Sequence, residues 1–249
     1  MPNQIMLNLG SSTKTSPLFI NIDWTPLLWV AKHKFLRNVI SYVFLDTARR
    51  VRLAKLSDEI FVHNLAKGIP FADGSVDVAY HSHLLEHLDR EIAPVFLSEI
   101  FRVLKPGGLH RICVPDMEIL ARSYMASVDR FMKDGVTQGH EESLSAILEQ
   151  SVRREAFGTS RQPKLRRLLE NFLFGDARRR GETHQWMYDR VNLPALLLSM
   201  GFTEIHVCSW NESEIENWIQ GGLEFGENLN EYKVGSLYVE CRKPILKLN

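Results

Sequence analysis

The chain has 249 residues, 45% hydrophobic and 24% charged, enough for one sizeable globular domain with room for an insert. With 30 basic and 30 acidic residues the formal net charge is zero, which argues against a general nucleic-acid binder, since that needs a basic footprint. The amino-terminal residues lack a signal-peptide pattern, and no uninterrupted apolar stretch approaches the roughly 20 residues of a membrane span, so a cytoplasmic protein is expected.

Ile5 to Leu9 reads as a short strand entering a tight loop at Gly10-Ser11-Ser12. Leu18 to Ile22 reads as a second strand, ending at Asp23. The space between the two leaves little room for a complete crossover helix. After Pro26, residues 27–45 look helical and amphipathic, with a basic patch at 32–37. Glu59 to His63 and Val76 to Tyr80 are the third and fourth strand candidates, separated by turn signals at 67–70 and 72–75. Apolar residues at helical spacing run from Leu84 to Leu104 and stop at Lys105-Pro106-Gly107-Gly108. Leu109 to Val114 is a fifth strand, closed by Pro115-Asp116. Residues 117–183 carry helical, charged sequence without strand signals. A helix over 193–200 and strands over 203–208 and 235–241 follow. The alternation implies an α/β fold, a Rossmann-like sheet of seven mostly parallel strands with helices on both faces and a helical insertion. The organisation expected is 1–116 as a cofactor-binding half, 117–183 as a helical cap, and 184–249 as the completion of the sheet.

The segments Phe71-Ala72-Asp73-Gly74-Ser75-Val76-Asp77-Val78-Ala79-Tyr80, Leu84-Leu85-Glu86-His87-Leu88 and Glu99-Ile100-Phe101-Arg102-Val103-Leu104-Lys105-Pro106-Gly107-Gly108 occur in order. Through them the chain resembles class I S-adenosylmethionine-dependent methyltransferases of the small-molecule group called type 11. His184 to Asp189 and Ser236 to Glu240 resemble a subgroup associated with sugar and polysaccharide modification. The resemblance implies S-adenosylmethionine as cofactor and a small-molecule or glycan acceptor. It implies a cofactor site of Leu9, Gly10, Ser11, Ser12, Asp23, Trp24, Asn64, Leu65 and His81.

Several of these residues have a plainer reading as well. The first loop, Asn8 to Thr15, has one glycine where the family has several; glycine there lets backbone approach a ligand. Asp23 suits the two ribose hydroxyls but is also placed to cap a helix. Asn64 can accept from the adenine amino group, with Leu65 as an apolar wall, or it is a turn asparagine. His81, His83 and Asp116 stand at the carboxyl edge of the sheet and are the candidate bases for a hydroxyl acceptor. The histidines also read as loop residues, and Asp116 as a helix cap. His83, His184 and Tyr188 are candidate acceptor contacts, with core packing the alternative for Tyr188.

His81, His83, Glu86 and His87 invite a metal reading. Their spacing crosses a strand-to-helix junction, and no metal is expected from it. Residues 151–180 hold nine Lys/Arg and three acids, a candidate site for an anionic acceptor. Together with the basic helix at 27–45 they also suggest peripheral contact with the inner face of a membrane. Cys113, Cys208 and Cys241 read as free thiols. The competing reading is a degenerate, non-catalytic relative that binds a partner.

Overall fold

The computed structural model of the chain describes residues 4–24, 28, 51, 53–57, 59–151, 183–226 and 228–245. All of the expected 27–45 helix except residue 28, and the basic side chains from Arg153 to Arg180, lie outside these residues.

Seven strands form one sheet: β1 (Met6–Leu9), β2 (Ile20–Asp23), β3 (Phe61–Val62), β4 (Val76–Ser82), β5 (Leu104–Pro115), β6 (Thr203–Cys208) and β7 (Ser236–Arg242). Their order is β3-β2-β1-β4-β5-β7-β6. The first five strands pair in parallel, and β7 lies antiparallel between β5 and β6. This is the Rossmann-like, mostly parallel sheet expected, with strand order reversing beside β1.

One face is covered by α1 (Ala93–Val103) and α4 (Asn192–Ser199). Helix α1 is shorter than the 84–104 periodicity suggests, because residues 85–87 form a separate 3-10 turn and Pro94 sits in the first turn of the helix. It buries Ala93, Phe96, Leu97, Ile100 and Val103, a helical stripe, against Leu7, Leu9, Ala79, Ile112 and Val114 of the sheet. The motif residues that carry the family resemblance hold this helix in place. Arg102 bonds the Ile69 and Phe71 carbonyls and pairs with Asp73 and Glu99, while Glu99 accepts from the Ile69 N–H at 3.0 Å. Asp77 accepts from the Ile5 N–H at 2.8 Å and from Lys105 at 2.7 Å.

The opposite face is covered by the segment between β6 and β7, which includes the single-turn α5 (Trp218–Gly221). Ile215, Trp218, Leu223 and Phe225 pack there on Met6, Phe19, Val78, Tyr80 and Leu109. Arg111, wholly buried in β5, organises the segment: it pairs with Glu240 at 2.7 Å, bonds the carbonyls of Ser209, Trp210 and Glu212, and lies over the Trp218 ring. Ten residues without a helix join β1 to β2. Two buried asparagines satisfy that loop: Asn8 bonds Asn21 and the Lys14 carbonyl, and Asn21 bonds Ser16 and the Phe19 carbonyl.

Beyond β5, α2 (Met117–Asp134) and α3 (His140–Gln150) form the described part of the expected insertion. Their hydroxyls meet at Ser127, which contacts His140 and Ser143.

Candidate functional site at the carboxyl edge of the sheet

Parallel strands direct all their carboxyl ends to one edge, so the loops after β1 to β5 share a rim. Gly10 leaves β1 with φ 71°, and a Cβ there would meet the Leu84 methyls of the β4 loop at 3.1 Å. The loop's N–H groups turn inward: Gly10 and Ser11 both donate to the Ile22 carbonyl, at 2.8 and 3.1 Å. Ser12 donates to Asp23 Oδ2, and Trp24 donates to Asp23 Oδ1, each at 2.5 Å. The Ser11 hydroxyl is buried and has no hydrogen-bond partner among the described residues. Leu9 is fully buried at the end of β1, and Trp24 is 55% exposed.

After β3, Asn64 caps the 3-10 turn Leu65–Lys67, its side-chain oxygen accepting from the Ala66 N–H at 3.0 Å. Leu65 packs on the core. Asp116 follows β5, is buried, and caps α2 by accepting from the Glu118 N–H at 2.9 Å. Arg190 stands 4.0 Å from its other oxygen.

Two expectations are corrected. His81 is inside β4 rather than in the loop after it, paired with Leu9 and Ile112. It is completely buried between Phe96 and His110, ring centroids 5.5 and 5.1 Å away, and burial lowers its pKa to about 4. Its imidazole is therefore packed in the core and does not open onto the rim. Tyr188 is likewise buried in the core, its backbone bridging to Asp116, and burial raises its pKa.

His83 is the histidine at the rim. It follows β4 directly, with φ 49° and a side chain 16% exposed. Its Nδ1 lies 3.3 Å from Glu86 Oε1, and its Nε2 lies 2.9 Å from the Ser236 hydroxyl. Ser236 Oγ is also 2.8 Å from the Lys233 carbonyl, so its single proton serves one acceptor at a time. A carboxylate, an imidazole and a hydroxyl thus form a line, oriented by the carboxylate.

Glu86 is 1% exposed. Burial alone would raise its pKa, but the His83 contact and the imidazoles of His83 and His87 outweigh that and hold it at about 2. At 3.3 Å the His83 contact is an ion-pair contact rather than a well-formed hydrogen bond, and neither carboxylate oxygen has a hydrogen-bond partner among the described residues. The fold also brings His184 here, its ring 4.8 Å from that of His87. The segment is tied down by the Gln185 N–H donating to the Glu86 carbonyl at 2.6 Å. Neither Glu86 nor Ser236 is among the base and acceptor candidates named from the sequence. The pairing of strands β5 and β7, which joins Pro115 to Ser236, is what delivers that serine.

The family model for a methyltransferase domain matches residues 29–112, a stretch that ends within β5 and excludes the first loop. A 53-residue stretch is 43% identical to a Mycolicibacterium smegmatis protein described as a probable S-adenosylmethionine-dependent methyltransferase. It covers 21% of this chain and 20% of that relative, so the chain matches about a fifth of the relative's length. Similar solved structures include S-adenosylmethionine-dependent methyltransferases from Methanosarcina mazei and Archaeoglobus fulgidus. The first is 16% identical with TM-score 0.44, covering 98% of this chain and 95% of the other. The second is 12% identical with TM-score 0.41, covering 96% and 86%. A Rossmann-like sheet that carries a methyltransferase-domain match is therefore what this chain contains.

Proposed function

We propose that the protein is an S-adenosylmethionine-dependent methyltransferase that methylates a hydroxyl of a small molecule or glycan. The methyltransferase-domain match carries this reading, because it covers β4, whose carboxyl end presents the His83–Glu86 pair. When bound, S-adenosylmethionine supplies a methyl group on a sulfonium, reactive without further activation.

Three residues of the rim suit such a molecule. Asp23, which ends β2 and accepts the Ser12 and Trp24 N–H groups, is the carboxylate suited to the two ribose hydroxyls. Ser11 offers a buried hydroxyl that lacks a partner among the described residues. Asn64 spends its oxygen on the turn and has its amide N–H groups to offer a ring nitrogen.

On the acceptor side, His83 Nε2 is the base. The Ser236 hydroxyl, 2.9 Å away, occupies that nitrogen, and turning its proton to the Lys233 carbonyl, 2.8 Å from its oxygen, would release the lone pair to an acceptor hydroxyl. Glu86 fixes the ring and stabilises the imidazolium formed when the proton arrives. The protein's remaining task is to hold the acceptor oxygen in line with the methyl and to exclude water. His184 remains a candidate acceptor contact, and Asp116 keeps a positioning role through its second oxygen.

Calorimetric titration of the donor into the folded protein tests the reading, with micromolar binding expected. Folded protein that binds no donor would sink it. His83→Gln is expected to cut methyl transfer about 100-fold or more, the span of general-base contributions, with donor affinity unchanged. The inward-turned N–H groups of Gly10 and Ser11 favour a second reading, a non-catalytic binding protein. Absent donor binding is the result that reading requires.

A further inference from the structure

We propose that Glu86, His87 and His184 form a site for a divalent first-row transition metal, with zinc the ion that suits it. One ligand atom from each of the three lies within 4.8 Å of the others, and His87 Nε2 is 3.9 Å from Glu86 Oε1. Tetrahedral zinc with bonds of about 2.0–2.1 Å needs ligand atoms roughly 3.3 Å apart, so the site closes by up to about 1.5 Å on binding.

The histidines are prepared for this role by what their other nitrogens do. His87 Nδ1 is 3.2 Å from the Thr183 carbonyl and His184 Nδ1 is 2.9 Å from the Gln150 carbonyl. A carbonyl only accepts, so both Nδ1 atoms carry the proton. Both Nε2 atoms are left with lone pairs, the tautomer that metal-ligating histidines adopt when the second nitrogen donates to a carbonyl. Glu86 supplies a buried charge whose two oxygens lack hydrogen-bond partners among the described residues. The His87 Nε2 lone pair, 3.9 Å from a buried carboxylate oxygen, is costly without a cation and favourable with one.

The donor set selects the metal. Two imidazoles and one carboxylate suit zinc better than calcium or magnesium, which take oxygen ligands, and no thiolate is present for a softer ion. Three protein ligands leave a fourth position open, the pattern of zinc sites that bind water or a substrate oxygen. Glu86 would then join the metal to His83. A second group, His206, Glu214 and Glu240, is a weaker candidate. Glu240 is already satisfied by Arg111, Ser213 and the Glu214 N–H, and His206 and Glu214 are exposed.

The site shares Glu86 and His184 with the methyl-transfer reading, and its test measures metal alone, so that either can fail without the other. Untagged protein is stripped with a chelator and titrated with Zn²⁺ and, separately, with Co²⁺. Expected are one equivalent bound and the visible bands of four-coordinate cobalt. His184→Ala and His87→Ala should each weaken zinc binding about 100-fold or more, while His206→Ala leaves it unchanged. Circular dichroism checks folding, and His184→Gln replaces any alanine variant that fails it. No stoichiometric binding, six-coordinate cobalt bands, or binding that follows His206 rather than His87 and His184 would overturn the proposal.

Discussion

Buried charge sets the sharpest expectations for individual side chains. Arg111 and Glu240 are each completely buried and face one another at 2.7 Å. Removing one partner leaves the other as an uncompensated charge, so Arg111→Met is expected to cost about 3–5 kcal/mol, read from urea denaturation. His81 and His110 make the opposite case. Both are buried without hydrogen-bond partners among the described residues, and burial lowers both pKa values, His81 to about 4. Their folded pKa values lie below the unfolded value near 6.5. Their contribution to stability is therefore complete above about 6.5 and lost as pH falls toward 4, on the order of 3 kcal/mol for His81. Replacing both with methionine should flatten the pH dependence of unfolding in that window.

The misplacement of His81 shows why site residues are harder to read than strands. The β-branched and aromatic signal of β4 ends at Tyr80, but the strand runs two residues further because β1 and β5 both extend beside it. Two extra residues carried His81 from the expected loop into the core and left His83 at the rim. Side-chain alternation alone shows where a strand ends only when one face meets water, and β4 is buried on both.

At the level of elements, the alternation of strands and helices was legible because each has its own hydrophobic period and punctuation. The ends were less so. The apolar spacing from Leu84 continues through the 3-10 turn at Leu85–His87, which only the tertiary contacts of Glu86 and His87 distinguish from a first helical turn. The recurrent motif from Phe71 to Gly108 clamps α1 to the turn before β4, at the edge of the sheet away from the rim. It therefore reports the scaffold more directly than the chemistry. Gly108 belongs to that clamp, since a Cβ there would lie 2.8 Å from the Lys105 carbonyl oxygen and 3.3 Å from that of Asp77. Backbone cannot yield as a flexible side chain does, and Gly108→Ala is expected to destabilise by about 1–3 kcal/mol in thermal unfolding without altering donor affinity.

Across the whole molecule, distant parts of the chain share the rim. Lys14 of the first loop donates to the Phe225 carbonyl at 2.6 Å and lies over the Tyr232 ring. The loop and the segment before β7 should therefore open together. Lys14→Ala is expected to raise hydrogen exchange in 10–19 and 222–232 alike, while α1 is unaffected. Independent exchange in the two segments would refute the coupling. Contacts of this kind, like that of His87 with His184, link residues far apart in sequence, and no local pattern announces them. The helix expected over 27–45 and the basic run from Arg153 fall outside the described residues, so membrane contact and an anionic acceptor rest on the sequence alone.

The position of β7 has a consequence for how the chain is made. It is synthesised after β6, yet it lies between β6 and β5. While a ribosome is still building residues 236–242, the backbone groups of β5 along Leu109 to Pro115 have no neighbour on that side. A nascent chain thus carries an open, apolar strand edge for the time needed to add more than a hundred residues, an interval of about 5–20 s at ordinary elongation rates. Such an edge is a template for pairing with other chains. This protein's yield on expression should consequently depend on holding chaperones and on temperature more than its final stability would suggest.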